Sequence, residues 1–366
     1  MSNEINRRDL LQAAGLAAPL LAARAASAAT TPRAVKLPKP VKVCIVGLHG
    51  HWSEVTTAQR LLPEIEIAAV STTSDVELRK AENSRALANA KRYTNYEQML
   101  DREKPDAVCV CDENGARAET VIASLRRKIP TAAEKPMGIS IAELNRVKRA
   151  AAETKTPLTM LLPMRFSPTY LVMKQIVDAG EIGEAIQLSG QKSYQLGPRP
   201  EWMKHRQRFG GTIPYIGCHL IDLLRFISGR DMVETAAFHS NIGHPEVGDM
   251  EDNASVVYRL DNGGTGGIRL DYLRPAAGPS HGDDRVRIAG TKGIVEHQGE
   301  GVTLITDKKA PHEVTERPEH PPLFADFLDS VYNGTKHMLP LEDIFRVTEI
   351  VLRSCEAADQ GRLVKI

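Results

Sequence analysis

Three short segments carry side chains able to do chemistry. The first, Gly47-Leu48-His49-Gly50-His51-Trp52, joins an apolar run to a helical one. At such a junction the backbone amides and positive dipole end of a helix bind phosphate, and glycine lets the main chain come close. His49 and Trp52 stand where G-x-G-x-x-G has its second and third glycines. The segment therefore reads either as a pyrophosphate cradle built by Gly47, His49, Gly50 and Trp52 or as a plain tight turn. The second segment, Ser71-Thr72-Thr73-Ser74, ends another apolar run, where NAD-preferring folds put an acid on the ribose hydroxyls. The nearest acid, Asp75, comes four residues late. Short hydroxyls at Ser71 and Thr72, with Arg79 or Lys80 to pair a 2′-phosphate, favour NADP over NAD; a simple loop and helix cap is the alternative. The third segment, Glu134-Lys135-Pro136, follows a short apolar run. If that run is a strand of a doubly wound sheet, its end faces the ligand crevice, where Lys135 can hydrogen-bond a substrate hydroxyl and lower its pKa. Otherwise it is a surface turn.

The surrounding pattern positions all three. From Val41 apolar runs alternate with helical ones: strands at 41–46, 65–70, 107–111, 130–133 and 158–162, helices at 56–62, 75–90, 116–128 and 141–154. Strands apolar throughout, each followed by a helix, predict a parallel sheet covered on both faces. After Pro163 a helix over 167–179 gives way to strands at 185–192, 233–239, 254–260, 264–272, 285–289, 293–297 and 302–306, with helices at 217–228, 323–333 and 341–360. The fold class is α/β: an N-terminal doubly wound sheet over 41–162, then an open, largely antiparallel sheet with helices on one face over 163–366. The helices within 323–360 can pack back on the first domain. A second subunit is the simplest cover for the other sheet face, so a dimer or tetramer is expected.

On these motifs the chain resembles the glucose–fructose oxidoreductase / inositol dehydrogenase (Gfo/Idh/MocA) family from Val41 onward. The motifs are Pro105 to Asn114, Ala118-Glu119, Glu134-Lys135-Pro136, Arg165-Phe166-Ser167-Pro168, Gly210-Gly211 leading to Gly217-Cys218-His219-Leu220-Ile221-Asp222, and Gly282 to Gly293. The resemblance implies a Rossmann domain holding NAD or NADP, with Asp112, Asn114 and Glu134 near the cofactor and Lys135 between cofactor and substrate. It implies His219 as the acid/base group, suited by an imidazole pKa near neutrality, and Arg165 and Asp222 near a sugar-like substrate. Family members commonly carry Asp four residues before that His; here Tyr215 takes this catalytic place, and a phenol does not polarise the imidazole as a carboxylate does, so it either hydrogen-bonds the substrate or closes the site to ordinary turnover. Arg117 stands where many members have His. The segment 197–206 reads as a substrate-facing loop, Trp202 offering a plane for a sugar ring and His205 a donor, or as a surface loop with one buried Trp. The expected activity is oxidation of a sugar or polyol hydroxyl with tightly held cofactor. Redox-assisted glycoside cleavage and a non-catalytic sugar-binding or scaffold protein are the alternatives.

Composition narrows the partners. The chain has 366 residues, 42% hydrophobic and 25% charged, with net charge +1, so it builds full cores and offers no basic surface for nucleic acid. Its five cysteines are too few for a disulfide scaffold. His244, Asp249, Glu251 and Asp252 lack metal-ligand spacing, and no metal is expected. Residues 1–28 read as a twin-arginine export signal: Arg7-Arg8, a weakly apolar run, then Ala26-Ser27-Ala28 as a cleavage site. Residues 29–40, with three prolines, read as a linker. The expectation is a periplasmic protein cleaved near Ala28, met by the twin-arginine translocase during export and without stable membrane insertion. Replacing Arg7 and Arg8 by lysine should hold the precursor in the cytoplasm in a fractionation blot; undiminished periplasmic protein contradicts the signal.

Overall fold

A computed structural model of the chain describes residues 34–366; the segment 1–28 read as an export signal and the start of the segment read as a linker lie outside them. Residues 34–40 form no helix or strand, yet they are not a free linker. Leu37 is buried, Asn333 donates to the Lys36 carbonyl, and Lys39 pairs with Asp106 at 2.5 Å.

The first sheet is built from β1 (Val41–Val46), β2 (Ile65–Ser71), β3 (Lys91–Tyr93), β4 (Ala107–Val110), β5 (Thr131–Ala133) and β6 (Leu158–Met160). All its pairings are parallel and their order is β3-β2-β1-β4-β5-β6, that of dinucleotide-binding folds. Between successive strands lie α1 (Ser53–Leu61), α2 (Asp75–Glu82), α3 (Tyr96–Glu103), α4 (Asn114–Arg126) and α5 (Ile141–Thr154). β4, β5 and β6 are buried at every position, as the uninterrupted apolar runs require of strands covered on both faces. Strand order reverses between β1 and β4, so the loops after β1, β2, β4 and β5 open into one crevice. β3 and α3 are absent from the sequence reading, and the helix expected over 75–90 stops at Glu82. β3 is three half-exposed residues at a sheet edge, too short and polar to show a pattern.

The second sheet follows α6 (Pro168–Asp178) and has nine strands. They are β7 (Ala185–Tyr194), β8 (Met232–Ser240), β9 (Asn253–Leu260), β10 (Thr265–Asp271), β11 (Gly282–Gly290), β12 (Gly293–Gln298), β13 (Gly301–Thr306), β14 (His312–Glu313) and β15 (Val364–Lys365). They run in the order β14-β13-β12-β11-β7-β10-β9-β8-β15. Only the central β7–β10 pair is parallel, so the sheet is mixed, open and mostly antiparallel.

The remaining helices are α7 (Arg206–Phe209), α8 (Thr212–Ser228), α9 (Leu323–Asn333) and α10 (Leu341–Gln360). α8 is apolar nearly all round and buried along almost its whole length, between the second sheet and α6 and α10. It begins five residues before the expected start, because Pro214 in its first turn is tolerated where N–H groups lack helical partners anyway. That extension puts Tyr215 and His219 one turn apart on one helix. The closing helices contact the first sheet's layer: the Tyr332 hydroxyl donates to the Asp106 carbonyl and His337 bonds Thr159 at 2.8 Å.

Candidate active site

The crevice is organised by Glu134, at the end of β5. Its carboxylate accepts the His51 amide, lies 2.6 Å from His51 Nδ1, and accepts the Lys135 amide at 3.0 Å. Burial would raise its pKa, but the neighbouring His51, Lys135 and Arg117 hold it well below the usual carboxylate range. Gly50, with φ of 67°, is pressed against this carboxylate: a Cβ there would sit 2.3 Å from Oε1. Gly47, φ 71°, is pressed against Cys111 and Asp112 of the loop after β4, where a Cβ would come within 2.4 Å of a carbonyl oxygen. Left-handed backbone and close approach both demand glycine at these two positions.

Arg117 braces the same turn from beneath. It is fully buried and donates to the carbonyls of Lys135, Pro136 and Asp112 and to Asn114 Oδ1. Asn114 is buried too, its amide bonded to the Phe209 carbonyl at 2.8 Å, so it ties the loop after β4 to α7. Asp112 accepts from Thr120 through Oδ2, while its buried Oδ1 has no hydrogen-bond partner among the described residues, and burial pushes the carboxyl up to about 6.

Above this floor the two halves of the chain meet. Lys135 Nζ lies 3.5 Å from the centre of the Tyr215 ring, and burial, against the pull of Glu134, brings its ammonium down to about 8. The Tyr215 hydroxyl shares a 2.8 Å hydrogen bond with His49 Nε2. His49 is neutral: burial pulls it down to about 3. Trp202 packs edge-on against His49 at 5.0 Å between ring centres. One turn beyond Tyr215, His219 is buried, and burial together with the Lys135 charge holds its pKa well below the ordinary value. The arrangement is a neutral imidazole beside a buried ammonium at the mouth of the crevice: a base that can take a hydroxyl proton, and a cation that can stabilise the oxygen left behind.

The residues also fit a dinucleotide. Among the described residues the N–H groups of Gly50 and Trp52, at the start of α1, find no acceptor, and Lys80 reaches back to the Leu48 carbonyl at 3.2 Å. Such open amides beside a cation suit a pyrophosphate. Ser71 and Thr72 are buried at the end of β2, and the Thr72 hydroxyl donates to Glu77 Oε2 at 2.7 Å. An acid therefore does reach the ribose-binding corner; it comes from the first turn of α2, and the sequence reading, counting along the loop only as far as Asp75, passed over it.

Three expected substrate residues lie elsewhere. Arg165 and Asp222, each 1% exposed, bind one another through two hydrogen bonds, and Arg165 also takes Asp343 at 2.9 Å and the Met338 carbonyl. They are a structural ion pair clamping α8, committed to each other because an unpaired charge there would be costly. His205 is half exposed and faces Glu201 in the same turn, pointing its chemistry at solvent. His239, Cys355 and Asp359 come within metal-binding distance of one another, but the Arg206 guanidinium already sits on Cys355 and Asp359. Conversely, His51 was missed as a functional residue: its partner lies 83 residues away, so no local spacing marks it.

Comparison with known proteins agrees with this geometry. Residues 41–161 match the model of an oxidoreductase family with an NAD-binding Rossmann fold, and residues 170–296 that of the GFO/IDH/MocA C-terminal domain. The chain is 28% identical over 270 residues to a myo-inositol 2-dehydrogenase of Thermotoga maritima, covering 72% of this chain and 78% of that protein. It is 33% identical to a solved chain from Thermotoga maritima described as an oxidoreductase, with a TM-score of 0.85, covering 89% of this chain and all of that one. An Agrobacterium radiobacter oxidoreductase solved with NAD+, L-tartaric acid and magnesium shares the fold, with a TM-score of 0.76 at 18% identity, covering 89% of this chain and 98% of that one.

The Arg165–Asp222 pair yields a prediction. Asp222→Asn should lower unfolding free energy by about 3–5 kcal/mol in urea denaturation while leaving substrate KM unchanged. Unchanged stability with a raised KM would return Asp222 to the substrate.

Proposed function

Because the chain belongs to the Gfo/Idh/MocA family of oxidoreductases, we propose that it oxidises a secondary hydroxyl of a polyol or sugar, with His219 as base and Lys135 as the oxygen's cationic partner. The observation that carries the reading is the Lys135 ammonium lying over the Tyr215 ring, with His219, one turn on, packed against His51 of the glycine turn. NAD, when bound, supplies the acceptor for the hydride released from the substrate carbon. The turn over 47–52 and Lys80 would hold its pyrophosphate, Ser71, Thr72 and Glu77 its adenosine ribose, and Lys135 the nicotinamide end. Glu77 favours NAD over NADP, since a carboxylate on Thr72 repels a 2′-phosphate. The substrate class rests on the inositol dehydrogenase relatives and on Trp202, which offers an aromatic plane for a ring.

Within this reading the residues divide the work. His219, kept neutral by burial and by Lys135, accepts the hydroxyl proton. Lys135, still cationic at neutral pH, draws the hydroxyl's electrons and lowers its pKa. Tyr215 is engaged by His49 and shapes the wall against which Lys135 rests. Export through the twin-arginine route in folded form, with cofactor already bound, belongs to the same proposal. So does a homo-oligomer: Phe238 and Val257 stand exposed on the open sheet face, 77% and 58% accessible, and a second copy would cover them.

His219→Ala should lower kcat by about 10²–10⁴-fold on any sugar or polyol the wild type oxidises, with cofactor affinity preserved. Full activity in that variant would remove the acid/base role. Tyr215→Phe separates a wall from a participant: an intact hydroxyl matters only if this variant loses turnover.

A further inference from the structure

His219 is poorly placed to dispose of a proton. It is 5% exposed, its side chain makes no hydrogen bond among the described residues, and its Nδ1 is buried without a partner there. An acid/base group that takes a proton in every turnover must pass it to solvent, and its cationic form must be offset by nearby negative charge. One turn back on its own helix it meets only Tyr215, a phenol occupied by His49.

The ring it does touch is His51. Their centres are 5.1 Å apart, edge to face at 74°. His51 Nδ1 is bound to Glu134 at 2.6 Å, and the His51 main chain is anchored on the same oxygen. An ionised carboxylate only accepts, so neutral His51 carries its hydrogen on Nδ1 and keeps the Nε2 lone pair free. The His51 side chain is 32% exposed. It thus touches both the buried imidazole and water. The charges around the pair are graded: Lys135 and Lys192 act on His219, Glu134 on both rings, and Glu54 on His51. Cations push a proton off the inner ring, and the carboxylates offset its charge on the outer one.

Resting on the reading of His219 as base, we propose that His51, backed by Glu134, is the proton relay between His219 and solvent. A bound nicotinamide would supply the two-electron acceptor for the carbon's hydride; with it in place the hydroxyl O–H bond breaks and its proton forms an N–H bond on His219. That proton passes to Nε2 of His51 and then to water, and both rings return to neutral. The carbon is oxidised by two electrons, the nicotinamide reduced by two, and one proton is released. The carboxylate that α8 lacks at Tyr215 is thereby supplied from the first sheet, through an imidazole. His51 acts through His219 and is a positioning and relay residue.

The test is steady-state oxidation of a panel of inositols, hexoses and alditols with NAD+ by wild type, His51→Ala and His51→Gln. Glutamine can keep the bond to Glu134 and fill the space, but it cannot carry the proton. Both variants should lose about 10²-fold in kcat, and added imidazole should restore His51→Ala only. If His51→Ala does not fold, His51→Gln decides alone, through the same loss and a larger solvent deuterium isotope effect than wild type. Near-wild-type turnover by His51→Gln with no increase in that isotope effect would overturn the relay and leave His51 a packing residue. A wild type inert on the whole panel would instead overturn the oxidoreductase reading, and the relay with it.

Discussion

An ionised carboxylate buried at the end of a central strand must be answered on every side, and Glu134 is answered by the parts that make this site. The His51 amide and ring, the Lys135 amide, and the charges of Lys135 and Arg117 converge on it, and Gly50 is pressed against its side chain. Removing the charge would leave Lys135 buried without its carboxylate partner and Arg117 with Asp112 alone, a loss of several kcal/mol in comparable pairs. The same contact fixes how closely the glycine turn approaches the turn after β5. The width of the crevice, the tautomer of His51 and the position of the Lys135 ammonium therefore follow from one electrostatic requirement.

Catalytic geometry then depends on bringing α8 to that point. The helix is apolar nearly all round, so it can exist only where it is covered on all sides, and the second sheet with α6 and α10 covers it. Its one strongly charged inner residue, Asp222, is neutralised by Arg165, which locks the helix against the start of α10 through Asp343. With its axis fixed, Tyr215 and His219 project toward Lys135. The Tyr215 ring takes the face of the ammonium while its hydroxyl takes neutral His49. A carboxylate at position 215 would pair with Lys135 directly; the phenol leaves that cation available to the crevice.

Much of this was legible in the sequence, for physical reasons that differ by element. Strands buried on both faces have no choice but to be apolar throughout, so β1, β2 and β4 announce themselves, as do the long amphipathic α5 and α10. β3 is short, polar and peripheral and carries no such mark, and the start of α8 was hidden by Pro214 and Gly217. The turn over 47–52 and the Glu-Lys-Pro turn stand out because strand ends in such a sheet point into one crevice, whereas Tyr215 and His219, inside α8, were marked only by the family resemblance. Arg165 and Asp222 show how alike a buried charge pair and a substrate-binding pair look in sequence, since both use the same residue types. His51 and Glu77 were passed over because what gives them meaning is a contact across the fold or a turn of helix, which linear spacing does not display.

The central claim is that the crevice gathered around Glu134 holds a nicotinamide dinucleotide beside the His219–Lys135 pair. Calorimetric titration of the purified, nucleotide-stripped protein with NAD+ and NADP+ tests it most directly. One NAD+ should bind per chain, NADP+ should bind more weakly because of Glu77, and NAD+ affinity should fall sharply in Glu134→Gln. Heat of binding for neither dinucleotide would contradict it.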